Sequence, residues 1–489
     1  MYATKSNYTK AGFQVNQTIQ WEMITEDQCE EIVVTAMELL ERTGVDILNK
    51  EAVAAFEKAG CWIDGNRVRI PSVKTEWALR VAPSRLTLCD RNGKRAMLME
   101  TNNVYYGPGF GTEKVIDAMT GEEKKATLAD VVNIAKIVDG LKDVDFAMSG
   151  AVPTDVDAKA AELFEFEALL NSTTKPIVQN VQNAAQANAI MEMAFAVKGS
   201  ADKFAHNPFA VLYTDNAEPM SINEQALAVV MAAAGKGFPV VFSNRLVTGL
   251  TAPKESAGAL VVALANSLAV IVLSQIVREG SPIITGGFFT INDLDNKMLP
   301  YGAPEISLLG AGYANVLRYL RVPSFGFAGA SDSKISDAQM GLESAFSVLH
   351  AGLSGTNMIY GAGIMESGCV SNPYLLVIAD EVMGMTRRIM SGVIMDEDRL
   401  ARGVIDDVQP GGHYLGATHT MYYFKREQFW PQLMNRMRID DWAVAGSKSL
   451  GQRAIDKTKE LLSFYSGQPL DAATAAAVKD VANKAAANL

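Results

Sequence analysis

Glycines, aromatics and a few polar side chains collect directly after short apolar runs along most of this chain. The sets are Tyr106–Phe110; Ser149 and Gly150; Gln179 and Asn180; Tyr213, Asp215 and Asn216; Ser243, Asn244 and Arg245; Gly286–Phe289; Gly329, Ser331 and Asp332; and Gly361, Gly363 and Glu366. Carboxylates are few in these sets and histidine is absent. Hydrolysis or proton abstraction would ordinarily show a histidine or a close acid–base pair. A box of ring faces with a few polar anchors instead suits a quaternary ammonium, which the negative face of an aromatic ring attracts.

Each member also has a plainer reading. Tyr106, Tyr213 and Tyr360 fit a core with satisfied hydroxyls as well as a cage. Phe288 and Phe289 are adjacent on a run of strand type, so only one of them faces the same side as the other anchors. Asp332 and Glu366 read either as site carboxylates or as helix caps. Arg245 is the candidate to hold a substrate carboxylate in a fork, and a pair with a neighbouring carboxylate is its alternative. Phe327 and Asn180 complete the set. His413 and His419 stand six apart on a turn-rich segment, which is not the spacing of a helical metal pair, and no Cys or Glu accompanies them at ligand spacing.

The elements that must position these residues recur at βα spacing. The apolar runs are Val104–Tyr106, Val144–Ser149, Ile177–Gln179, Ala210–Tyr213, Val240–Phe242, Ile283–Thr285, Ser324–Phe327 and Met358–Tyr360. Helical patterns lie between them, from Leu128–Gly140 to Asp337–Leu353, and Asn372–Ser391 follows the last. Eight strands with eight helices is the count of a (β/α)8 TIM barrel, with the site at the C-terminal ends of its strands. No Gly-x-Gly-x-x-Gly opens a helix after the first strand, so a dinucleotide fold is not indicated. The boundaries read as an α+β cap or oligomerisation region over 1–103, a catalytic barrel over 104–392 and a helical C-terminal extension over 393–489.

The 489 residues include 44 basic and 55 acidic ones, a formal charge of −11, which speaks against general binding to nucleic acid or anionic membrane. Cys29, Cys61, Cys89 and Cys369 form no Cys-x-x-Cys pair and read as reduced thiols of a cytoplasmic protein. Met1–Gln20 is polar, without the apolar centre of a signal peptide. Gly258–Val277 approaches membrane-span length, but its Asn266, Ser267 and Gln275 and its place between two strands mark a buried barrel helix.

At these residues the sequence resembles the trimethylamine methyltransferase (MttB-like) superfamily of corrinoid-dependent methyltransferases. The matching stretches are Gly286-Gly287-Phe288, Tyr301-Gly302-Ala303-Pro304-Glu305, Ser331-Asp332-Ser333-Lys334, Gly361-Ala362-Gly363 with Glu366-Ser367-Gly368, and Gly411-Gly412-His413 with His419. The likeness runs from about residue 20 to 445. It implies a barrel that moves a methyl group from a methylamine-type substrate to the Co(I) of a separate corrinoid protein. No cofactor would then be tightly bound, and no metal site is expected. The chain contains only standard residues, so it resembles the branch without pyrrolysine, whose substrates are quaternary amines such as glycine betaine, proline betaine or carnitine. On that likeness Tyr360, Asp332 and Glu366 are the expected catalytic residues, and Phe288, Phe289, Tyr106, Tyr213, Phe327, Arg245 and Asn180 the expected substrate contacts. Many members have a histidine where this chain has Tyr360, which implies a pocket of different shape. A homo-oligomer is expected. Two other functions fit the residues alone: a metal-assisted lyase or hydrolase using His413 and His419, and a betaine-binding protein without turnover.

Overall fold

The computed structural model describes residues 21–394 and 396–489, so the reading of Met1–Gln20 lies outside the described residues. Seven parallel strands form one curled sheet: β1 (Tyr105–Pro108), β2 (Ile177–Asn180), β3 (Ala210–Asn216), β4 (Val240–Thr248), β5 (Ile283–Ile291), β6 (Ser324–Phe327) and β7 (Met358–Ala362). Their order across the sheet is β1-β7-β6-β5-β4-β3-β2. Eight helices surround it: α1 (Leu128–Gly140), α2 (Ala161–Ser172), α3 (Ala184–Lys198), α4 (Glu224–Lys236), α5 (Ser256–Val277), α6 (Pro304–Tyr319), α7 (Ala338–Ser354) and α8 (Pro373–Met390). Their starts follow from capping side chains. Asn183, Asn223, Asp337 and Asn372 each accept a hydrogen bond from a backbone N–H of the first helical turn.

The expected strand at 144–149 is not a strand. It lies between the two edges, β1 and β2, and touches both, but with a single bridge, Ala147 to Ile177. Asp145 is the reason: its carboxylate accepts from Tyr106 N at 2.7 Å, where a ladder would place a backbone carbonyl. The Asp145 backbone N–H in turn donates to Tyr106 O at 2.7 Å, and Val178 N donates to Ala147 O at 2.9 Å.

α5 is long and apolar enough to cross a membrane, yet most of it is buried. The helices Glu26–Arg42, Lys50–Lys58 and Ser72–Val81 pack along it. Thr25 caps the first of these in a capping box with Gln28. The hairpin Leu86–Cys89/Arg95–Met99 sends Leu88, Met97 and Met99 into the interior cluster that also holds Phe146, Met148 and Met358. At the opposite end, Lys114–Ile116, Glu123–Lys125, Ile364–Met365 and Val370–Ser371 form a small second sheet beside the loops that follow β1 and β7.

Glu165 on α2 is buried behind β2, where Gln179 Nε2 donates to its Oε2 at 3.2 Å. Burial pushes its carboxyl up to about 8. The folded state therefore holds this proton more tightly than the unfolded chain. Glu165 favours folding fully below the ordinary carboxyl value, and that contribution is lost as pH rises towards about 8. Glu165→Gln is expected to raise the unfolding free energy at pH 8 by up to about 4 kcal/mol and to change it by less than about 1 kcal/mol at pH 5. Urea melts at the two pH values read the difference, and equal effects at both would show that the carboxyl does not titrate there.

Candidate active site

Alternation along the strands decides which side chains reach the interior. On β7, Met358 and Tyr360 join the interior cluster while Ile359 joins the helix-facing core. β6 sends in Phe325 and Phe327, β5 sends in Ile284 and Phe288, and β3 sends in Val211 and Tyr213. The result is a continuous set of rings centred on Tyr360. Phe325 stacks on it at 4.6 Å with 21° between planes, and Phe327 stands edge-on at 5.2 Å. Phe110 and Tyr213 complete its surroundings at 5.1 and 6.1 Å, themselves 4.1 Å apart. Phe288 extends the set through Phe327 at 4.8 Å and Tyr301 at 4.6 Å. Gly361 makes room for this arrangement: at φ +121° it turns the chain, and a Cβ there would meet the Phe327 ring at 2.6 Å.

The polar anchors stand on the same face. Arg245 is the register partner of Phe288, and Asp215 that of Ser243, so each pair faces one side. Arg245 Nε lies 3.8 Å from Asp215 Oδ2, a loose pair in which the guanidinium is 56% exposed and the carboxylate 33%. Burial pushes the Asp215 carboxyl up, and Arg245 opposes the shift. Burial also pushes the phenols of Tyr213 and Tyr360 well above the ordinary tyrosine range, so both rings are neutral at physiological pH. Asn180 ends β2 as the register partner of Tyr213.

Two expected contacts are corrected. Tyr106 faces the helix layer, where its hydroxyl lies against Met390 and the backbone of Gly352. Tyr105 takes the interior position, its hydroxyl accepting from Leu98 N at 2.9 Å. Phe289 likewise points outward and packs edge-on against Tyr313 of α6 at 5.2 Å. In both cases the strand phase is one residue from the expected one or selects the other neighbour.

Asp332 and Glu366, expected as catalytic residues or helix caps, stand on the loops after β6 and β7. The Asp332 carboxylate accepts from Tyr301 N at 2.7 Å, Gly302 N at 2.8 Å and Ser367 Oγ at 2.8 Å, so it ties the loops after β5, β6 and β7 together. Asp337, not Asp332, caps α7. Glu366 opens a left-handed stretch with Ser367 and Gly368, all at positive φ, and a Cβ on Gly368 would meet the Tyr301 hydroxyl at 2.7 Å. These contacts hold Tyr301 over Phe288. Asp332→Ala would leave backbone donors unpaired at a cost of about 1–3 kcal/mol each. It is expected to raise KM for the methyl donor roughly tenfold and to lower thermal stability. Tyr301→Ala is expected to raise KM with a smaller loss of stability, and thermal melts beside KM distinguish the two. Unchanged KM in both would remove Tyr301 from the site.

His413 and His419 lie far along the chain from these rings; His413 is exposed, and His419 is half-buried with its ring tilted against Tyr423 at 4.6 Å. Among the described residues no group of three His, Cys, Asp or Glu side chains is placed to hold a metal ion. Phe110, Phe325 and Tyr301 are ring contacts that the expected site residues did not include. Phe110 was legible as a mouth residue on its Gly-Pro-Gly-Phe-Gly loop, whereas Tyr301 comes from ten residues beyond the end of β5.

The family model described as trimethylamine methyltransferase (MTTB) matches residues 2–489. The chain belongs to this family. Its methyltransferase relatives align over nearly their whole lengths. The trimethylamine methyltransferase MttB of Desulfitobacterium hafniense is 31% identical over 460 residues, 94% of this chain and 92% of that one. The glycine betaine methyltransferase of another strain of that organism is 30% identical, over 92% of this chain and 94% of its own length. MttB1 of Methanosarcina mazei is 29% identical, over 97% of both. Among solved structures, the monomethylamine methyltransferase of Methanosarcina barkeri covers 93% of this chain and 97% of its own, at 12% identity and a TM-score of 0.47. As a member of the MTTB family, the protein is a methyltransferase.

Proposed function

We propose that this methyltransferase takes a methyl group from a quaternary amine that also bears a carboxylate, of the glycine betaine, proline betaine or carnitine type, and delivers it to Co(I) of a corrinoid protein. The observation that carries the reading is the ring set centred on Tyr360, with Arg245 in register beside Phe288. We read the fold as a (β/α)8 barrel whose eighth position is filled by 144–149, with 104–392 as the catalytic unit between an amino-terminal cap and a helical extension.

In the transfer, the C–N bond breaks with its electron pair going to nitrogen, and the tertiary amine leaves neutral. No proton need be supplied. The corrinoid's reduced cobalt supplies the nucleophile that takes the methyl. The residues of this chain strip water from the cation, hold it by ring faces and fix the direction of one methyl. Each ring contact contributes about 0.5–2 kcal/mol. The charge on nitrogen disappears as the bond breaks, so a fixed carboxylate against it would favour the ground state instead. Neutral phenols at Tyr213 and Tyr360 avoid that penalty, and pairing with Arg245 mutes Asp215. The mouth fits a group brought by another protein: Phe110, Tyr301 and Arg245 are only partly covered and form its rim.

Glycine betaine, proline betaine, carnitine and trimethylamine, each mixed with the protein and cob(I)alamin, test the proposal through the methylcobalamin spectrum. A carboxylate-bearing quaternary amine is expected to give methylcobalamin and trimethylamine little or none. Tight calorimetric binding of a betaine with no methylated cobalt would support a binding protein instead. Stoichiometric zinc in the purified protein would favour the metal-assisted reading.

A further inference from the structure

A cavity of about 900 Å³ opens where β1 begins and α8 ends, away from the ring set. Six side chains around it are cationic, Lys94, Arg95, Lys142, Arg387, Arg388 and Arg426, against two carboxylates, Asp143 and Asp145. The chain as a whole has a formal charge of −11, so this is a local concentration. Both carboxylates are taken by Arg387, whose Nη1 lies 2.7 Å from Asp143 Oδ1 and whose Nη2 pairs with Asp145. Arg388 pairs with Glu427 at 3.1 Å. Lys94, Arg95, Lys142 and Arg426 have no carboxylate partner among the described residues, and residues 1–20 contain no Asp or Glu. Arg426 is held in place by Tyr422: its guanidinium lies over the ring at 4.4 Å, and Nη1 donates to the hydroxyl at 2.8 Å. The Nε–H of Arg387 is buried and finds no acceptor among the described residues. α8 carries Gly384 where it meets the cavity. A Cβ there would come within 2.8 Å of Asp143 Oδ2 and 3.1 Å of the Phe429 ring. Glycine weakens a helix interior, and here it lets a carboxylate and a ring close on the helix.

The geometry points to a binding site for a nucleoside polyphosphate in this cavity, apart from the methyl-transfer mouth. Four unpaired cations around one hollow repel one another, and their summed field draws in an anion. They stand on separate elements: Lys94 and Arg95 on the hairpin before β1, Lys142 after α1, and Arg426 beyond α8. Such charges converge from several sides, which suits the many oxygens of a phosphate chain, whereas a lone carboxylate asks for a single planar fork. The remaining wall is apolar and includes Met97, Leu98 and half-buried Phe429. A phosphate chain alone would leave that wall, and most of the volume, to water. The cavity is near the upper end of the range for a small-molecule site. A nucleoside fills it, and any base has a face to lay on the Phe429 ring. No glycine-rich loop lines the cavity, so side chains, and not a nest of backbone N–H groups, hold the phosphates. The inference does not rest on which methyl donor the enzyme uses.

Calorimetry and thermal melts of the full chain with ATP, ADP, inorganic tripolyphosphate and citrate test this. ATP and ADP are expected to bind one per chain and to raise Tm, since a ligand of the folded state stabilises it. Raising the salt from about 0.05 M to about 0.5 M is expected to weaken ATP binding by about tenfold or more, because the cations are exposed to screening. Lys142→Glu with Arg426→Glu is expected to weaken ATP binding at least about 30-fold, with an unchanged circular dichroism spectrum and methyl transfer to cob(I)alamin within about twofold of the parent. Lys125→Glu, exposed on the small second sheet at the other end of the strands, is expected to bind ATP as the parent does. Should the double variant not fold, Arg95→Gln alone carries the test, with an expected loss of about tenfold. Absence of ATP and ADP binding, or a folded double variant that binds ATP like the parent, overturns the proposal. Citrate bound as tightly as ATP overturns the assignment to phosphate. Tripolyphosphate bound as tightly as ATP overturns the assignment to a nucleoside, and a single-stranded oligonucleotide bound more tightly than ATP gives the face to nucleic acid instead.

Discussion

Tyr360→Ala is expected to lower kcat/KM for methyl transfer by about 100- to 1,000-fold, which is roughly 3–4 kcal/mol at the transition state. Two effects add. A desolvated ring face against the ammonium is worth about 2 kcal/mol. The rest comes from geometry, because Phe110, Tyr213, Phe325 and Phe327 all rest on this one ring. Without it they relax into the space, and the methyl loses its fixed direction. Tyr360→Phe keeps the ring and its four neighbours, so it is expected to stay within about tenfold of the parent. The alanine variant will also lose stability, by about 3–5 kcal/mol for a large buried aromatic, so its fold must be checked by circular dichroism at the assay temperature. A folded Tyr360→Ala that transfers methyl at the parent's rate would place the site elsewhere.

The helices were legible because their signals are local. Asn183, Asn223, Asp337 and Asn372 stand where a capping side chain must, and each cap can be read without knowing the fold. The apolar runs were legible for the same reason, save one. Residues 144–149 look like a strand by composition, but the Asp145 carboxylate takes over a ladder bond of β1, a contact made across 39 residues of sequence. Strand phase was less accessible. Tyr105 and Tyr106 are adjacent and chemically alike, and what selects Tyr105 for the interior is the Leu98 N–H of a hairpin that precedes β1. The pair Phe288 and Phe289 was readable only to the extent that one must face each way, and Tyr313 on α6 receives the outward ring. Asp332 read as a site acid or a cap because its true partners, Tyr301, Gly302 and Ser367, lie on two other loops. Ring chemistry was thus visible in the residue types, while the scaffolding that orients the rings was not.

Arg245→Met is expected to raise KM for a carboxylate-bearing quaternary amine by about 100-fold while leaving choline, which has no carboxylate, nearly unaffected. A charge-assisted hydrogen bond pair of this kind contributes about 1.5–3 kcal/mol, and methionine keeps most of the apolar stem. The specificity of the effect follows from register, since Phe288 would hold the ammonium of either substrate while only Arg245 reaches the far end. Asp215 supplies the second half of the test. It pairs loosely with the same guanidinium, and burial raises its carboxyl above the ordinary range. Its ionised form competes with the substrate carboxylate for Arg245, and its protonated form does not. KM for the betaine should therefore rise as pH climbs through the elevated Asp215 value, and KM for choline should not rise in that way. Asp215→Asn removes the competitor, so it is expected to lower the betaine KM at neutral pH and to flatten the pH profile. If Arg245→Met weakens both substrates alike, the guanidinium supports the strand end and does not read the carboxylate. A pH profile that Asp215→Asn leaves unchanged would likewise show that no exchange of partners takes place at Arg245.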